Sequence, residues 1–239
     1  MPTSPVQPFD AAQDLRDAPR AAGPRQRPKD AATLILVRAG KTPEVLMGRR
    51  APGHVFMASK WVFPGGRIDR ADFTASAATD PAPASRARLE AELPPHRARA
   101  LCLTAVRETF EETGLILGRA APPASVAGPW REFRQAGALP DLAALTYVAR
   151  AITPPGRTRR FDARFFMADA SALLAPEPTA GSGELDEIAW LPLEDARALD
   201  LPSITRFVLG EVAERIGATT TRPLPFVRMV RGKHLVSHD

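Results

Sequence analysis

Cysteine is almost absent: Cys102 stands alone among 239 residues. An intrachain disulfide is thereby excluded, and a lone thiol fits a reducing compartment, so a cytoplasmic location is expected. Cys102 falls beside an apolar stripe and reads as a small buried hydrophobe rather than a reactive thiol. Aromatics are scarce too, at 6% with a single Tyr. No nucleic-acid recognition motif accompanies them, so nucleic acid is not an expected partner. No apolar run approaches the roughly 20 residues of a membrane span, and no membrane association is expected. The N-terminus shows no apolar signal core. Internal repeats are absent.

What is present is a basic chain with ample core material. Hydrophobic residues make up 44%, enough for a globular core in one large domain or two small ones. Net charge is +5 and the isoelectric point is near 10.1. A scattered basic surplus suits polyanionic ligands, and phosphate-bearing small molecules account for it. A homodimer is compatible with the sequence.

The densest chemistry lies in Arg107-Glu108-Thr109-Phe110-Glu111-Glu112-Thr113-Gly114. On a helix, Glu108, Glu111 and Glu112 share one face, while Leu103, Val106 and Phe110 share a roughly opposite one. Gly114 stands where a left-handed helix stop wants glycine. Three like charges within one turn repel, and a cation reached by all three removes that penalty. Oxygen-only ligands favour hard divalent metals such as Mg²⁺ or Mn²⁺, usually held together with substrate phosphates. Alone, such a cluster reads first as a solvated acidic face, and the context upstream reverses that reading.

Upstream lies Trp61-Val62-Phe63-Pro64-Gly65-Gly66. A Pro-Gly-Gly turn followed by a carboxylate helix resembles the Nudix box, G-x5-E-x7-R-E-U-x-E-E-x-G-U. Gly66 takes the first position, and Asp72 stands where that family has Glu. Arg107 to Leu115 matches the second half, with Thr109 at a usually aliphatic position. The spacer runs from Phe73 to Val106 where the pattern has seven residues, so a long insertion splits the box. A Nudix subgroup that cleaves coenzyme A and its thioesters is similar in this respect. Its upstream pattern is matched in register by Leu46-Met47-Gly48-Arg49-Arg50-Ala51, with Val55 replacing an inner Arg and Ser59 a Gly.

The resemblance implies an α+β fold, a Nudix-type α/β/α sandwich with a mixed sheet. It implies Glu108, Glu111 and Glu112 as ligands of Mg²⁺ or Mn²⁺, with Arg107 orienting a carboxylate of its own helix. The general base is a box glutamate or a later acid, and Glu184 and Glu187 are candidates. Asp72 either reaches the helix through water or anchors it. Candidate substrate contacts are Arg49, Arg50, Gly65, Gly66, Arg160 and Arg164. The wider cluster Arg157, Arg159, Arg160 and Arg164 could grip phosphates by bidentate hydrogen bonds or merely charge a hairpin tip. The implied substrate is a small nucleotide, a nucleoside diphosphate linked to another moiety. Coenzyme A or acyl-coenzyme A leads over ADP-ribose, dinucleotides and nucleotide sugars. A ligand-binding module without catalysis is a reading of another class.

Along the chain, residues 1–29 lack periodicity and are expected to be a disordered or loosely docked tail, 30–218 the principal domain with its insertion at about 73–99, and 219–239 a C-terminal extension. Strands are expected at Ala32–Arg38, Glu44–Arg49, Lys60–Phe63, Ala144–Ile152, Arg160–Met167, Glu184–Leu191 and Phe226–Val230. A short helix should begin with Ser85 as its cap and stop at Pro94-Pro95. The carboxylate helix follows from His96 to Thr113, with His96 on the surface. A short helical piece is expected over Trp130–Gln135, inside a loop. Helices then run over Leu193–Leu199 and Ser203–Ile216, the second capped by Ser203 and stopped by Gly217. Tied at both ends near the box, residues 73–96 are expected to form a flap beside the site.

Overall fold

A computed structural model describes residues 9, 26–51, 59–179, 181, 183–216 and 222–238. Its centre is strand β1 (Lys29–Arg38), buried from Ala31 to Val37 except for half-buried Thr33. Burial on both faces explains its nearly continuous apolar run. Alternation sends Leu34 and Leu36 to one side and Ile35 and Val37 to the other. A tight hairpin joins β1 to β2 (Glu44–Arg50), in the expected antiparallel pairing. Then come β3 (Trp61–Val62), β4 (Gly65–Arg67), β5 (Gly118–Ala120), β6 (Ala138–Pro140) and β7 (Thr146–Ile152). The remaining strands are β8 (Phe161–Asp169), β9 (Leu185–Pro192), β10 (Pro225–Val230) and β11 (Lys233–His238).

Among the described residues, nine strands form one mixed sheet, in the order β11-β10-β7-β8-β1-β2-β3, with β4 on β1 and β9 on β2. The β1–β8 and β7–β10 pairs are parallel. Strands β5 and β6 make a separate two-stranded antiparallel sheet that the sequence reading did not foresee. The C-terminal stretch, read as one strand and a basic tail, supplies two paired strands.

The helices are α1 (Pro83–Glu92), α2 (Pro95–Thr113), α3 (Arg131–Gln135), α4 (Leu193–Ala198) and α5 (Ser203–Arg215). On one face of the sheet, Leu101, Leu103 and Val106 of α2 pack with Leu34, Leu36 and Phe166. On the other, Phe207, Val208 and Val212 of α5 pack with Ile35, Val37 and Phe165. This is the expected α/β/α sandwich. No helix among the described residues is long and apolar enough to cross a membrane. Cys102 is fully buried, and burial pushes its thiol up to about 12.

Several local expectations change. Helix α1 starts at Pro83, and no side chain caps it. Ser85 sits inside it, where its hydroxyl donates to Leu145 O (2.9 Å) and accepts from Tyr147 N (3.0 Å). Pro95 does not merely stop α1 but opens α2, because a first-turn residue needs no backbone donor. Helix α5 follows Pro202 with no side-chain cap from Ser203. Gly217 lies outside the described residues.

The insertion is structural. Leu89 of α1 is fully buried in the core cluster that α2 also builds. Glu92 accepts from the Tyr147 hydroxyl (3.0 Å) and pairs with Arg150 (3.1 Å) and Arg164 (3.2 Å). Arg164, fully buried, also meets Asp30 (3.3 Å) and Asp162 (3.0 Å), while Arg97 of α2 pairs with Asp30. One buried ionic network thus ties the insertion to β1, β7, β8 and α2. The flap expectation is corrected: α1 is packed and ion-paired into the fold.

Leu89→Ala should therefore cost about 2–5 kcal/mol of stability, as large-to-small changes in cores do. Urea unfolding measures it, and a loss below about 1 kcal/mol would show that α1 is loosely attached.

Candidate active site

The site is built from α2 outwards. Burial extends nearly all round its second half, beyond the single stripe that periodicity suggested, because the sheet covers one side and the turn preceding the insertion covers another. Arg107 and Glu112 are each only 4% exposed. Thr109, at the family's aliphatic position, is fully buried and donates to Ala105 O (2.8 Å), so its hydroxyl is satisfied within the helix. Gly114 adopts φ 72° and closes the helix, as expected.

Asp72 lies in a short turn, Arg70–Phe73, and is fully buried. Arg107 binds it bidentately, Nε to Oδ1 and Nη2 to Oδ2, both at 2.9 Å. Thr104 Oγ1 (2.8 Å), Trp130 Nε1 (3.0 Å) and Asp69 N (2.9 Å) also donate to this carboxylate. Asp72 therefore anchors the helix directly. Neither Thr104 nor Trp130 stood out in the sequence, since no motif position marks them.

Arg107 has five N–H groups and all are engaged. Besides Asp72, Nη2 donates to Arg67 O (3.0 Å), and Nη1 to Glu108 Oε1 (2.9 Å) and Glu111 Oε2 (2.8 Å). Burial alone would lower the pKa of this guanidinium, but Asp72, Glu108 and Glu111 hold it well above the ordinary value. Its charge is permanent and it fixes two of the three acids.

The third acid, Glu112, accepts from Gly65 N at 3.1 Å. Glu108 lies flat against Gly66, where a Cβ would stand 2.4 Å from its carboxylate. The glycine turn is thus a seat for the acids. Burial pushes Glu108 up to about 7, with Arg107 pulling it down and Glu111 raising it again. Burial pushes Glu112 up to about 8, with Arg50 pulling it down and Glu108 raising it. Burial raises Glu111 as well, against Arg107.

Among the described residues, no three acids converge on one point as they stand. Arg107 Nη1 takes one oxygen from each of Glu108 and Glu111, and each keeps a second. An oxygen-only set whose ionisation is opposed by burial is the chemistry a hard divalent cation would relieve, so the residues fit such an ion.

A cavity of about 530 Å³ opens beside the acids, bordered by Arg50, Gly65, Gly66, Arg107, Glu108 and Glu184. Residues 176–179, ahead of Glu184, are pinned. Arg38 donates to Pro176 O (2.7 Å) and Glu177 (2.6 Å) and stacks 4.0 Å over the Trp190 ring, while Thr179 N donates to Thr113 O (2.9 Å). Of the two late acids, only Glu184 borders the cavity. Glu187 pairs with Arg49 across β2 and β9 (3.1 Å).

Three candidate contacts need correction. Arg49 pairs with Asp186 and Glu187 and does not border the cavity, whereas its neighbour Arg50 does. Arg164 is locked in the core network. Arg160 donates to the backbone oxygens of Thr153 (3.0 Å) and Gln26 (2.7 Å). Instead Arg157 and Arg159, together with Arg67, border the cavity. No residue of 73–96 does. Val55 lies outside the described residues, while Ser59 adopts φ 60°, the left-handed conformation for which the subgroup pattern carries Gly.

This fold, with its glycine turn seated against an arginine-braced carboxylate helix, defines a class. The chain belongs to the Nudix hydrolase family. A Nudix hydrolase from Alicyclobacillus acidocaldarius of known crystal structure is 30% identical, with a TM-score of 0.60 over 78% of this chain and 92% of that one. The acyl-coenzyme A diphosphatase NUDT19 of Gallus gallus is 29% identical over 70% of this chain. The match spans 61% of that relative's length. No family model matches the chain.

Asp72→Ala would leave Arg107 buried without its main counter-charge, costing about 3–5 kcal/mol in denaturant unfolding. A loss under about 1 kcal/mol would contradict the anchoring role.

Proposed function

We propose that the protein is a divalent-metal-dependent diphosphatase acting on a nucleoside diphosphate linked to a second moiety, with coenzyme A or acyl-coenzyme A as the leading substrate. The observation that carries the reading is the arginine-braced carboxylate cluster, whose Glu108 borders a cavity that also holds cationic side chains. Its split box and its likeness to an acyl-coenzyme A diphosphatase support the leading substrate.

In this reading Glu108, Glu111 and Glu112 hold Mg²⁺ or Mn²⁺. Such an ion neutralises diphosphate charge and lowers the pKa of bound water. The chain supplies the rest. Arg107 keeps Glu108 and Glu111 aligned with no freedom of its own. The Gly65-Gly66 turn admits the diphosphate close to the backbone. Arg50 and Arg67 offer positive charge to its oxygens. Glu184, at the cavity wall, accepts the proton of the attacking water as the water oxygen bonds to phosphorus and the bridging P–O bond breaks. Coenzyme A would yield adenosine 3′,5′-bisphosphate and phosphopantetheine. The deciding assay offers coenzyme A, acyl-coenzyme A, ADP-ribose and a dinucleotide with Mg²⁺ and with Mn²⁺, and identifies the products. Faster cleavage of ADP-ribose would displace coenzyme A, and no metal-dependent cleavage of any diphosphate would remove the enzymatic reading.

Glu111→Gln and Glu112→Gln should each lower kcat by about 10²-fold or more, on the order of 3 kcal/mol. Both retain size and an acceptor oxygen, so circular dichroism should be unchanged. Wild-type turnover in either variant would reject the metal assignment.

The raised carboxylates give a second expectation. Their folded pKa values exceed the ordinary 4.5, so the stability they confer is complete below that value and is lost as pH rises through about 7 and 8. The metal-free protein should lose thermal stability between about pH 4.5 and pH 8. Mg²⁺ binds the ionised forms, so it should raise Tm more at pH 8.5 than at pH 6.5. An equal Mg²⁺ effect at both would dissociate these acids from the metal.

A further inference from the structure

The cavity carries arginines at both ends. At one, Arg50 and Arg67 lie with Gly65, Gly66 and Glu108; at the other, the β7–β8 turn brings in Arg157 and Arg159. Strand register measures their separation. Gly65 pairs with Thr33, which pairs with Phe165, while Lys29 pairs with Phe161. Four residues of extended chain therefore separate the level of Gly65 from that of Phe161, about 13 Å at roughly 3.3 Å each. Arg157 and Arg159 lie just before Phe161. Between the two ends the floor is apolar, made by Phe161, Ala163 and Phe165 with Ala151 and Ile152 beside them.

Of the four clustered arginines, Arg160 donates to backbone oxygens and Arg164 lies in the core network, and neither borders the cavity, whereas Arg157 and Arg159 do. Arg157 is only 7% exposed yet borders the cavity, and a guanidinium cannot shed its proton. It brings a permanent, largely desolvated charge to the wall, where screening is weak. Arg159, exposed, adds a second.

We propose that Arg157 and Arg159 form a second anion subsite, which binds a phosphate monoester carried on the substrate's nucleoside, apart from the scissile diphosphate. Arginines at both ends of an apolar floor match a ligand with two phosphate positions separated by a nucleoside, rather than a lone diphosphate. The proposal rests on the diphosphatase reading above, and within it the 3′-phosphate of coenzyme A is the group recognised. Arg157 and Arg159 then act as specificity residues, and the chemistry at the bridging P–O bond stays with the acids.

The test compares coenzyme A with 3′-dephospho-coenzyme A in the presence of Mg²⁺. The wild-type protein should favour coenzyme A by about 10-fold in kcat/KM, mainly through KM, the worth of one hydrogen bond to a charged group. Combining Arg157→Ala with Arg159→Ala should bring that ratio to about 1. Arg159→Ala alone, at an exposed position, should lower it partly, and Arg157→Lys, which keeps the charge, should retain most of it. An unchanged ratio in the double variant overturns the proposal, as does an equal fall on both compounds, which would place the arginines on the diphosphate instead. A turnover-free measurement separates the two ideas. Calorimetry on the metal-free protein should find adenosine 3′,5′-bisphosphate bound about 10-fold more tightly than adenosine 5′-monophosphate, with the difference lost in the double variant. Absence of turnover on both coenzyme A compounds would count against the diphosphatase reading, while the calorimetric comparison would still decide the arginine assignment. Equal affinity of the wild-type protein for both nucleotides would overturn it.

Discussion

The Arg107–Asp72 pair is the constraint on which the site depends. The two halves of the box are separated in sequence by a long insertion and must be rejoined in space. A buried ion pair achieves this only if its desolvation is offset by complete hydrogen bonding. That condition is met on both sides: the guanidinium engages all five of its N–H groups, and the carboxylate accepts from a threonine, a tryptophan and a backbone amide as well as from the arginine. Because the same guanidinium reaches Glu108 and Glu111, the anchor of the fold and the alignment of the acids are one interaction. This accounts for an aspartate where the family pattern has glutamate. The turn Arg70–Phe73 approaches α2 closely enough for the shorter side chain to meet Arg107 without an intermediary.

The insertion makes that approach reproducible. A loose excursion between the halves would let the turn and helix drift apart. Here α1 is buried through Leu89 and held by Glu92 in an ionic network that includes Arg97 of the same helix that carries the acids. The connection is therefore stiff at both ends, and α2 is braced from its first turns as well as from its last.

Much of this was legible in the sequence, for identifiable reasons. The helix with its carboxylate face was readable because periodicity is a local property, and Gly114 marked its end. The central strand was readable because a strand buried on both faces leaves a continuous apolar run. What failed depends on information that spacing does not carry. Ser85 and Ser203 look like caps, but a proline next to each helix start moves the cap position earlier, to Ala82 and to Pro202. Arg160 and Arg164 look like phosphate ligands, but which arginines of a turn face a cavity is set by strand pairing and by acids from distant segments, Asp30 and Glu92 among them. The flap expectation followed from topology alone and missed that Leu89 and Glu92 had partners waiting in the core. Thr104 and Trp130 serve Asp72 from positions that no motif marks.

The parallel pairing of β1 with β8 has a kinetic meaning. Lys29 meets Phe161, and the partners stay this remote through Val37 and Asp169, so the centre of the sheet joins segments far apart in the chain. Such contacts require loop closure before they return any stabilisation, which slows folding, whereas α1 and α2 are neighbours along the chain. The acidic helix and its insertion can therefore assemble early from short-range contacts, with the cavity floor joined afterwards. During that interval a row of apolar strand edges stands exposed, and aggregation competes most strongly with the last step of assembly.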